Sequence, residues 1–140
     1  SVDKDISTQY AYNAGVTEIC NRSSIDSFSK KIKAILRRRN FTISANILFV
    51  EDSKTAAFQT MNLLKNTNIV FDHFYSADEA YIAYTSGYTN YDMIITDVAV
   101  EGKLDGLGFV RAVRQITPEN YKLPILAVSS FDDSSRRVEL

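Results

Sequence analysis

Three carboxylates follow two apolar segments of the sequence at the points where predicted strands end. Glu51 and Asp52 come directly after the apolar run at residues 46–50, and Asp97 comes directly after the run at residues 91–96. Because the carboxyl ends of parallel strands meet at one edge of a doubly wound sheet, the three side chains are predicted to converge there. Three negative charges held that close repel, so a proton or a hard cation must neutralise them. An all-oxygen site with few protein ligands is typical of magnesium.

Asp97 is the residue that we predict to carry the chemistry. A carboxylate can attack phosphorus and form an acyl phosphate once a cation shields its charge. Ser129 ends a further apolar run, residues 123–129, and its hydroxyl can donate to a phosphoryl oxygen. The pattern therefore predicts phosphorylation of Asp97, with magnesium bound directly by Asp52 and Asp97 and mostly through water by Glu51.

Each of these residues also has an ordinary structural explanation. A Glu-Asp pair after a strand is often a solvated helix start, in which Asp52 caps the helix through its side chain. Asp97 is compatible with an ordinary loop aspartate, and Ser129 with a turn or cap residue. The functional interpretation is favoured because these residues follow successive strands in the right order.

The elements that position these residues alternate between strand and helix from residue 46 onward. The predicted strands cover residues 46–50, 69–75, 91–96 and 123–129. The predicted helices cover residues 53–65, 77–85 and 106–116. Apolar residues three or four positions apart, among them Phe58 and Ile116, give each helix one buried stripe. This alternation predicts an α/β fold with a doubly wound, mostly parallel sheet and helices on both faces.

The first 45 residues do not begin this pattern. Residues 5–14 are helix-like and end at Gly15, residues 16–20 form a short predicted strand, and residues 24–39 predict a strongly amphipathic helix. A further helix is predicted to begin at Asp132. The order is therefore helix, strand, helix and linker, followed by four strand-helix units.

Composition excludes several classes of protein. The 140 residues include 16 basic and 17 acidic side chains, so no global field steers the chain to nucleic acid or membranes. A single Cys and a single His leave no disulfide, zinc-ligand spacing or catalytic triad. No apolar run approaches the roughly 20 residues that cross a bilayer, and no signal-peptide core is present, so we expect a cytoplasmic location by default.

Three segments resemble the receiver domain of response regulators in two-component signalling. They lie within residues 46–140 and read ILFVEDS, YDMIITDVAVEGKLDGLGFVRAVR and LPILAVSSFDD. The resemblance implies a flavodoxin-like doubly wound sheet, phosphorylation of Asp97, magnesium as cofactor and Ser129 as the switch hydroxyl. The metal ligands that it implies are Glu51, Asp52, Asp97 and the carbonyl of Ala99.

The sequence departs from the family pattern at two places. Glu101 stands where the family often has a proline, and the loop at residues 101–104 is one residue longer than usual. Near the amino terminus, Arg22 and Ser23 take the place of the family's lysine-proline pair, and Ile19 takes that of its aromatic switch residue. Arginine keeps the charge of lysine but changes its reach and geometry.

The domain organisation follows from a second resemblance. The first 40 residues resemble the closing helix, strand and helix of a degenerate receiver, residues 41–45 form a linker, and residues 46–140 form a receiver truncated after its fourth strand. The lysine proper to this second receiver is expected beyond the sequence. The chain is thus expected to come from a longer protein with tandem receivers.

The leading hypothesis is a phosphorylation-controlled signalling module rather than an enzyme with a diffusible substrate. Its implied partners are a histidine kinase or a histidine phosphotransfer protein, and an output domain elsewhere in the same longer chain. One alternative is a pseudo-receiver that acts only in protein interaction or dimerisation. Another is a magnesium-dependent phosphatase, which usually needs a second carboxylate two residues after the nucleophile, where Ala99 stands here.

The N-terminal segment is predicted to complete the sheet. Residues 46–131 would leave the fourth strand with an open apolar edge, which favours aggregation. The strand at residues 16–20 and the helix after it can cover this edge, from the same chain or by exchange with a neighbour in a homodimer. Arg22 would then lie at the rim of the acidic pocket. The alternative is a separate, loosely packed appendage.

Overall fold

The described part of the chain forms ten helices and strands. The computed structural model describes residues 2–21, 25–38, 44–100, 102–118 and 122–129. The elements are α1 (Val2–Ala14), β1 (Glu18–Asn21), α2 (Ile25–Arg38), β2 (Ser44–Val50), α3 (Lys54–Leu63), β3 (Asn68–Phe74), α4 (Ala77–Ser86), β4 (Met93–Asp97), α5 (Gly106–Ile116) and β5 (Ile125–Ser129). None of the described helices is long and apolar enough to span a membrane.

The strands form one parallel sheet in the order β1-β5-β4-β2-β3. Successive side chains of a strand point to opposite faces, so each central strand contributes side chains to the hydrophobic cores on both faces of the sheet. Leu48 and Val50 join the core under α1, α4 and α5, whereas Ile47 and Phe49 join the core under α2 and α3. All four side chains are fully buried. The predicted doubly wound α/β sheet is therefore confirmed.

The N-terminal segment completes this sheet. β1 pairs in parallel with β5, from Glu18 opposite Leu126 to Asn21 opposite Ser129. α2 then covers the sheet with Phe28 among its buried side chains. The prediction that this segment packs as the fifth strand and its helix is confirmed within a single chain, and the appendage alternative is wrong. Its derivation from a preceding receiver stays a prediction.

Several predicted boundaries differ from those of the structure. β2 begins at Ser44, two residues before the predicted start and within the predicted linker. In this strand the carbonyl of Asn46 accepts a hydrogen bond from the N–H of Asp92 at 2.8 Å, and the N–H of Asn46 donates to Asp92 Oδ2 at 2.8 Å. β1 covers Glu18–Asn21 rather than the predicted residues 16–20, although the N–H of Thr17 already donates to the carbonyl of Ile125 at 2.8 Å. The predictions for Arg22, Ser23, Glu101 and the helix from Asp132 lie outside the described residues.

The predicted apolar stripes were wrong at two positions. Phe58 is 68% exposed and Ile116 is 49% exposed. In α3 the buried face instead uses Ala57 and Thr60, with Leu64 just after the helix. Phe58 lies about 100° around the helix from Ala57 and so points outward.

Thr17 joins the N-terminal segment to the rest of the sheet. Its Oγ1 accepts a hydrogen bond from the backbone N–H of Ile125 at 2.9 Å and one from Arg114 at 3.3 Å. Arg114 also donates to the carbonyl of Gly15 at 2.9 Å, and burial lowers the pKa of its guanidinium. The seam between β1 and β5 is thus polar at its start.

Thr17→Val is expected to lower the free energy of unfolding by about 1 kcal/mol, because two donors lose their acceptor at constant side-chain volume. Thr85→Val is the matched control, since the exposed Thr85 hydroxyl bonds only carbonyls of its own helix. Urea unfolding of both variants measures the difference. Equal losses of unfolding free energy in the two variants would show that the Thr17 hydroxyl does not stabilise the pairing of β1 with β5.

Candidate functional site

Glu51 and Asp52 follow β2 at the carboxyl edge of the sheet. Glu51 is 1% exposed, whereas Asp52 is exposed. The backbone of Glu51 is held on both sides, since its N–H donates to the carbonyl of Phe74 at 3.0 Å and His73 Nε2 lies 2.8 Å from its carbonyl oxygen. The edge strand β3 therefore fixes the position at which the acidic pair leaves the sheet.

Ser53, not Asp52, caps α3. Its hydroxyl accepts a hydrogen bond from the N–H of Ala56 at 3.2 Å, and its own N–H donates to Glu51 Oε2 at 3.1 Å. The interpretation of Asp52 as the helix cap is therefore wrong. Because Ser53 takes the capping role, the exposed carboxylate of Asp52 can turn toward a ligand at this edge.

Asp97 is the last residue of β4, rather than the first residue after it. Its side chain is 8% exposed, and Oδ1 accepts a hydrogen bond from the N–H of Ala99 at 2.8 Å. Asp97 lies in register with Val128 of β5, and the next residue, Val98, donates to the carbonyl of Val128 at 3.1 Å. Strand pairing fixes the backbone of Asp97, and the hydrogen bond from Ala99 fixes the rotation of its carboxylate.

The structure brings the three predicted carboxylates together. One oxygen each from Glu51, Asp52 and Asp97 lies within 4.8 Å of the others. An octahedral magnesium ion with bonds of about 2.1 Å has ligands about 3 to 4 Å apart. Carboxylates at this spacing fit that ion when one of them acts through a bound water. The donor set is oxygen only, which also matches the preference of magnesium.

Ser129 and Ala99 lie at the same edge as the carboxylates. Ser129 is the half-buried last residue of β5, one position beyond the residue in register with Asp97. Ala99 follows β4 by two residues and bonds Asp97 through its N–H. These positions are compatible with the predicted switch hydroxyl and carbonyl ligand, and the roles themselves stay predictions.

Two residues beside this site were missed by the sequence analysis. His73 holds the carbonyl of Glu51 and packs its ring against Phe49 at 5.3 Å and Tyr75 at 4.4 Å. Asp78, in the first turn of α4, accepts hydrogen bonds from the loop that follows Asp97. Their partners are 22 or more residues away along the chain, so no local pattern could identify them.

A cavity of about 630 Å³ opens at the opposite edge of the sheet. Residues that precede β1 and β5 line it, together with Arg38, Arg114 and Lys122. The acidic cluster lies at the carboxyl ends of the strands and contributes nothing to this cavity.

Solved structures of receiver domains resemble the chain in fold. The receiver domain of Francisella response regulator 1452 is 22% identical, with a TM-score of 0.54, over 69% of this chain and 74% of that one. A response regulator receiver domain protein from Clostridium thermocellum is 23% identical, with a TM-score of 0.54, over 68% and 72%.

A third similar structure belongs to a larger protein. The N-terminal domain of a response regulator/sensory box/GGDEF three-domain protein from Carboxydothermus hydrogenoformans is 28% identical, with a TM-score of 0.51, over 60% of this chain and 63% of that one. The chain spans between 54% and 74% of four solved structures that it matches. No curated protein matches the chain.

The family of the chain follows from its sequence. The family model of the response regulator receiver domain matches residues 47–140, more than half of the chain. The matched part contains the last four residues of β2, all of β3 to β5 and all three clustered carboxylates. The chain belongs to the response regulator receiver domain family.

Proposed function

We propose that Asp97 accepts a phosphoryl group in a magnesium-dependent reaction. The donor is a histidine kinase or a histidine phosphotransfer protein, and the modified domain switches an output domain elsewhere in the same longer chain. The observation that carries this proposal is the approach of Glu51, Asp52 and Asp97 to within 4.8 Å at the carboxyl edge of the sheet. Membership of the receiver family supports the same chemistry.

The carboxylates of Glu51, Asp52 and Asp97 and the carbonyl of Ala99 would hold the ion. When bound, magnesium neutralises these charges and stabilises negative charge on the phosphoryl oxygens. Asp97 is the nucleophile. A bond forms between one of its carboxylate oxygens and phosphorus, while the bond from phosphorus to the donor breaks and the leaving group keeps its electron pair. Asp97 attacks in its carboxylate form, so the step includes no proton transfer from the nucleophile.

The neighbours of Asp97 orient the reaction. The N–H of Ala99 bonds Oδ1 at 2.8 Å and so fixes the rotation of the carboxylate before the donor arrives. Ser129 would donate its hydroxyl to a phosphoryl oxygen, which couples phosphorylation to the end of β5. Because β5 pairs with β1, a shift of this strand end would reach the N-terminal segment.

The proposal predicts that the protein gains one phosphoryl group from acetyl phosphate with magnesium present and none with excess EDTA. Intact-mass measurement reads the gain. Asp52→Ala is expected to raise the magnesium concentration for half-maximal uptake by about tenfold or more, because it removes a direct ligand. Glu79→Ala is the control, since Glu79 is an acid at the same edge outside the cluster.

Two outcomes would count against the proposal. An Asp52→Ala variant with the magnesium requirement of the parent protein would contradict the metal assignment. No uptake under any condition would favour the alternative of a pseudo-receiver that acts only by binding partners. The location in the cytoplasm and the absence of a diffusible substrate stay predictions.

A further inference from the structure

The loop between β4 and α5 carries part of the proposed site. It starts directly after Asp97, contains Ala99 and ends at Asp105, the N-cap of α5. Glu101 stands within it, with no proline to restrict the backbone. A connection of this kind needs an anchor before it can hold a ligand carbonyl in place.

Asp78 supplies that anchor from a different helix. Its Oδ2 accepts a hydrogen bond from the N–H of Lys103, and its Oδ1 accepts one from the N–H of Leu104, both at 3.2 Å. Each carboxylate oxygen of Asp78 therefore accepts a hydrogen bond from one of two consecutive backbone N–H groups. Hydrogen bonds to an ionised acceptor are stronger than neutral ones.

The backbone at Gly102 is shaped around this carboxylate. Gly102 has a φ of +143°, and a Cβ added there would lie 2.6 Å from Asp78 Oδ2. The loop can approach the carboxylate this closely because Gly102 has no side chain. The contact therefore depends on two residues, Asp78 as the hydrogen-bond acceptor and Gly102 as the residue that leaves room for it.

The loop is held at three points along its length. At its start the N–H of Ala99 bonds Asp97, and at its end Asp105 accepts from the N–H of Gly108 at 2.7 Å. Asp78 holds the middle and ties it to α4. Without this middle tie, hydrogen bonds hold the described loop backbone only near its ends, through Val98 and Ala99 at the start and Asp105 at the end.

We infer that Asp78 is a positioning residue, which holds the loop after Asp97 so that Ala99 stays in place for magnesium binding and phosphoryl uptake. The inference rests on the proposed function of Asp97. Asp78 lies outside the cluster of Glu51, Asp52 and Asp97, and the contacts through which we infer that it acts are those with the loop backbone.

The test compares Asp78→Ala and Asp78→Asn with Glu79→Gln, a control in the same helical turn whose side chain bonds Ser76. In Asp78→Ala, hydrogen exchange at the amides of Lys103 and Leu104 is expected to accelerate about tenfold or more. The rate of uptake from acetyl phosphate is expected to fall about tenfold, with a higher magnesium requirement. Asp78→Asn keeps one acceptor oxygen. Its amide exchange rate, uptake rate and magnesium requirement are therefore expected to lie between those of Asp78→Ala and those of the wild type.

Gly102→Ala is the second variant, because it pushes the Asp78 carboxylate away without removing it. It is expected to reproduce the slower uptake and the higher magnesium requirement. Unchanged amide exchange in Asp78→Ala would overturn the anchor. Faster exchange with unchanged uptake and magnesium requirement would overturn the positioning role. If wild type takes up no phosphate, the proposed function fails, and amide exchange and magnesium binding then decide the role of Asp78.

Discussion

Replacing Asp97 by asparagine is expected to abolish phosphoryl uptake while the fold stays intact. The neutral amide oxygen cannot attack phosphorus as a carboxylate does, so the rate is expected to fall about a thousandfold or more. The amide oxygen can still accept the hydrogen bond from Ala99, which wild-type Oδ1 accepts at 2.8 Å. Intact-mass time courses with acetyl phosphate and magnesium measure the loss.

Two measurements separate this effect from unfolding. Asp105→Asn removes a charge from the end of the same loop and is expected to keep uptake, because asparagine caps a helix as well as aspartate does. Asp97→Asn also removes one of three neighbouring negative charges, so its unfolding free energy without magnesium is expected to rise by about 1 kcal/mol. Uptake by Asp97→Asn at the wild-type rate would contradict the assignment.

Replacing Gly106 by alanine is expected to cost about 4 kcal/mol or more of unfolding free energy, or to prevent folding. A Cβ at this position would lie 2.1 Å from the carbonyl oxygen of Asp97 and 2.7 Å from the Cα of Val98. Both atoms belong to the backbone, so no rotamer change can relieve the collision. Helix propensity acts in the opposite direction, since alanine is preferred by about 1 kcal/mol inside a helix.

Gly108→Ala is the matched control in the same helix. The nearest atoms to its added Cβ are side-chain atoms, Asp105 Oδ1 at 3.1 Å and a Leu104 methyl at 3.7 Å. Its stability is expected to change by less than about 1 kcal/mol. Urea unfolding compares the two variants. Equal stabilities would contradict the view that α5 starts against the backbone of Asp97.

The parallel sheet and its acidic edge could be predicted because apolar runs mark strands buried on both faces. The apolar runs that end before Glu51 and before Asp97 predicted these carboxylates at the ends of neighbouring strands, and β2 and β4 are neighbours in the sheet. The place of the N-terminal segment followed from the open apolar edge that β5 would otherwise present. These are consequences of burial, which sequence patterns record directly.

The contacts that tune the site could not be predicted in the same way. His73 and Asp78 bind backbone atoms of distant loops, and a hydrogen bond to a backbone group leaves no mark on the residue types of its partner. The exposure of Phe58 was missed because the more hydrophobic Phe58 was assigned to the buried face. The smaller Ala57 beside it is the buried residue. Tertiary approach decides which face of a weakly amphipathic helix is buried.

Chemical trapping of the acyl phosphate tests the central claim most directly. Borohydride reduces an aspartyl phosphate to homoserine, whereas unmodified carboxylates do not react. The protein is treated with acetyl phosphate and magnesium, reduced, digested and analysed by peptide mass spectrometry. Homoserine is predicted at position 97, dependent on magnesium. Trapping at another carboxylate, or no trapping on a protein that carries phosphate, would contradict Asp97 as the phosphoacceptor.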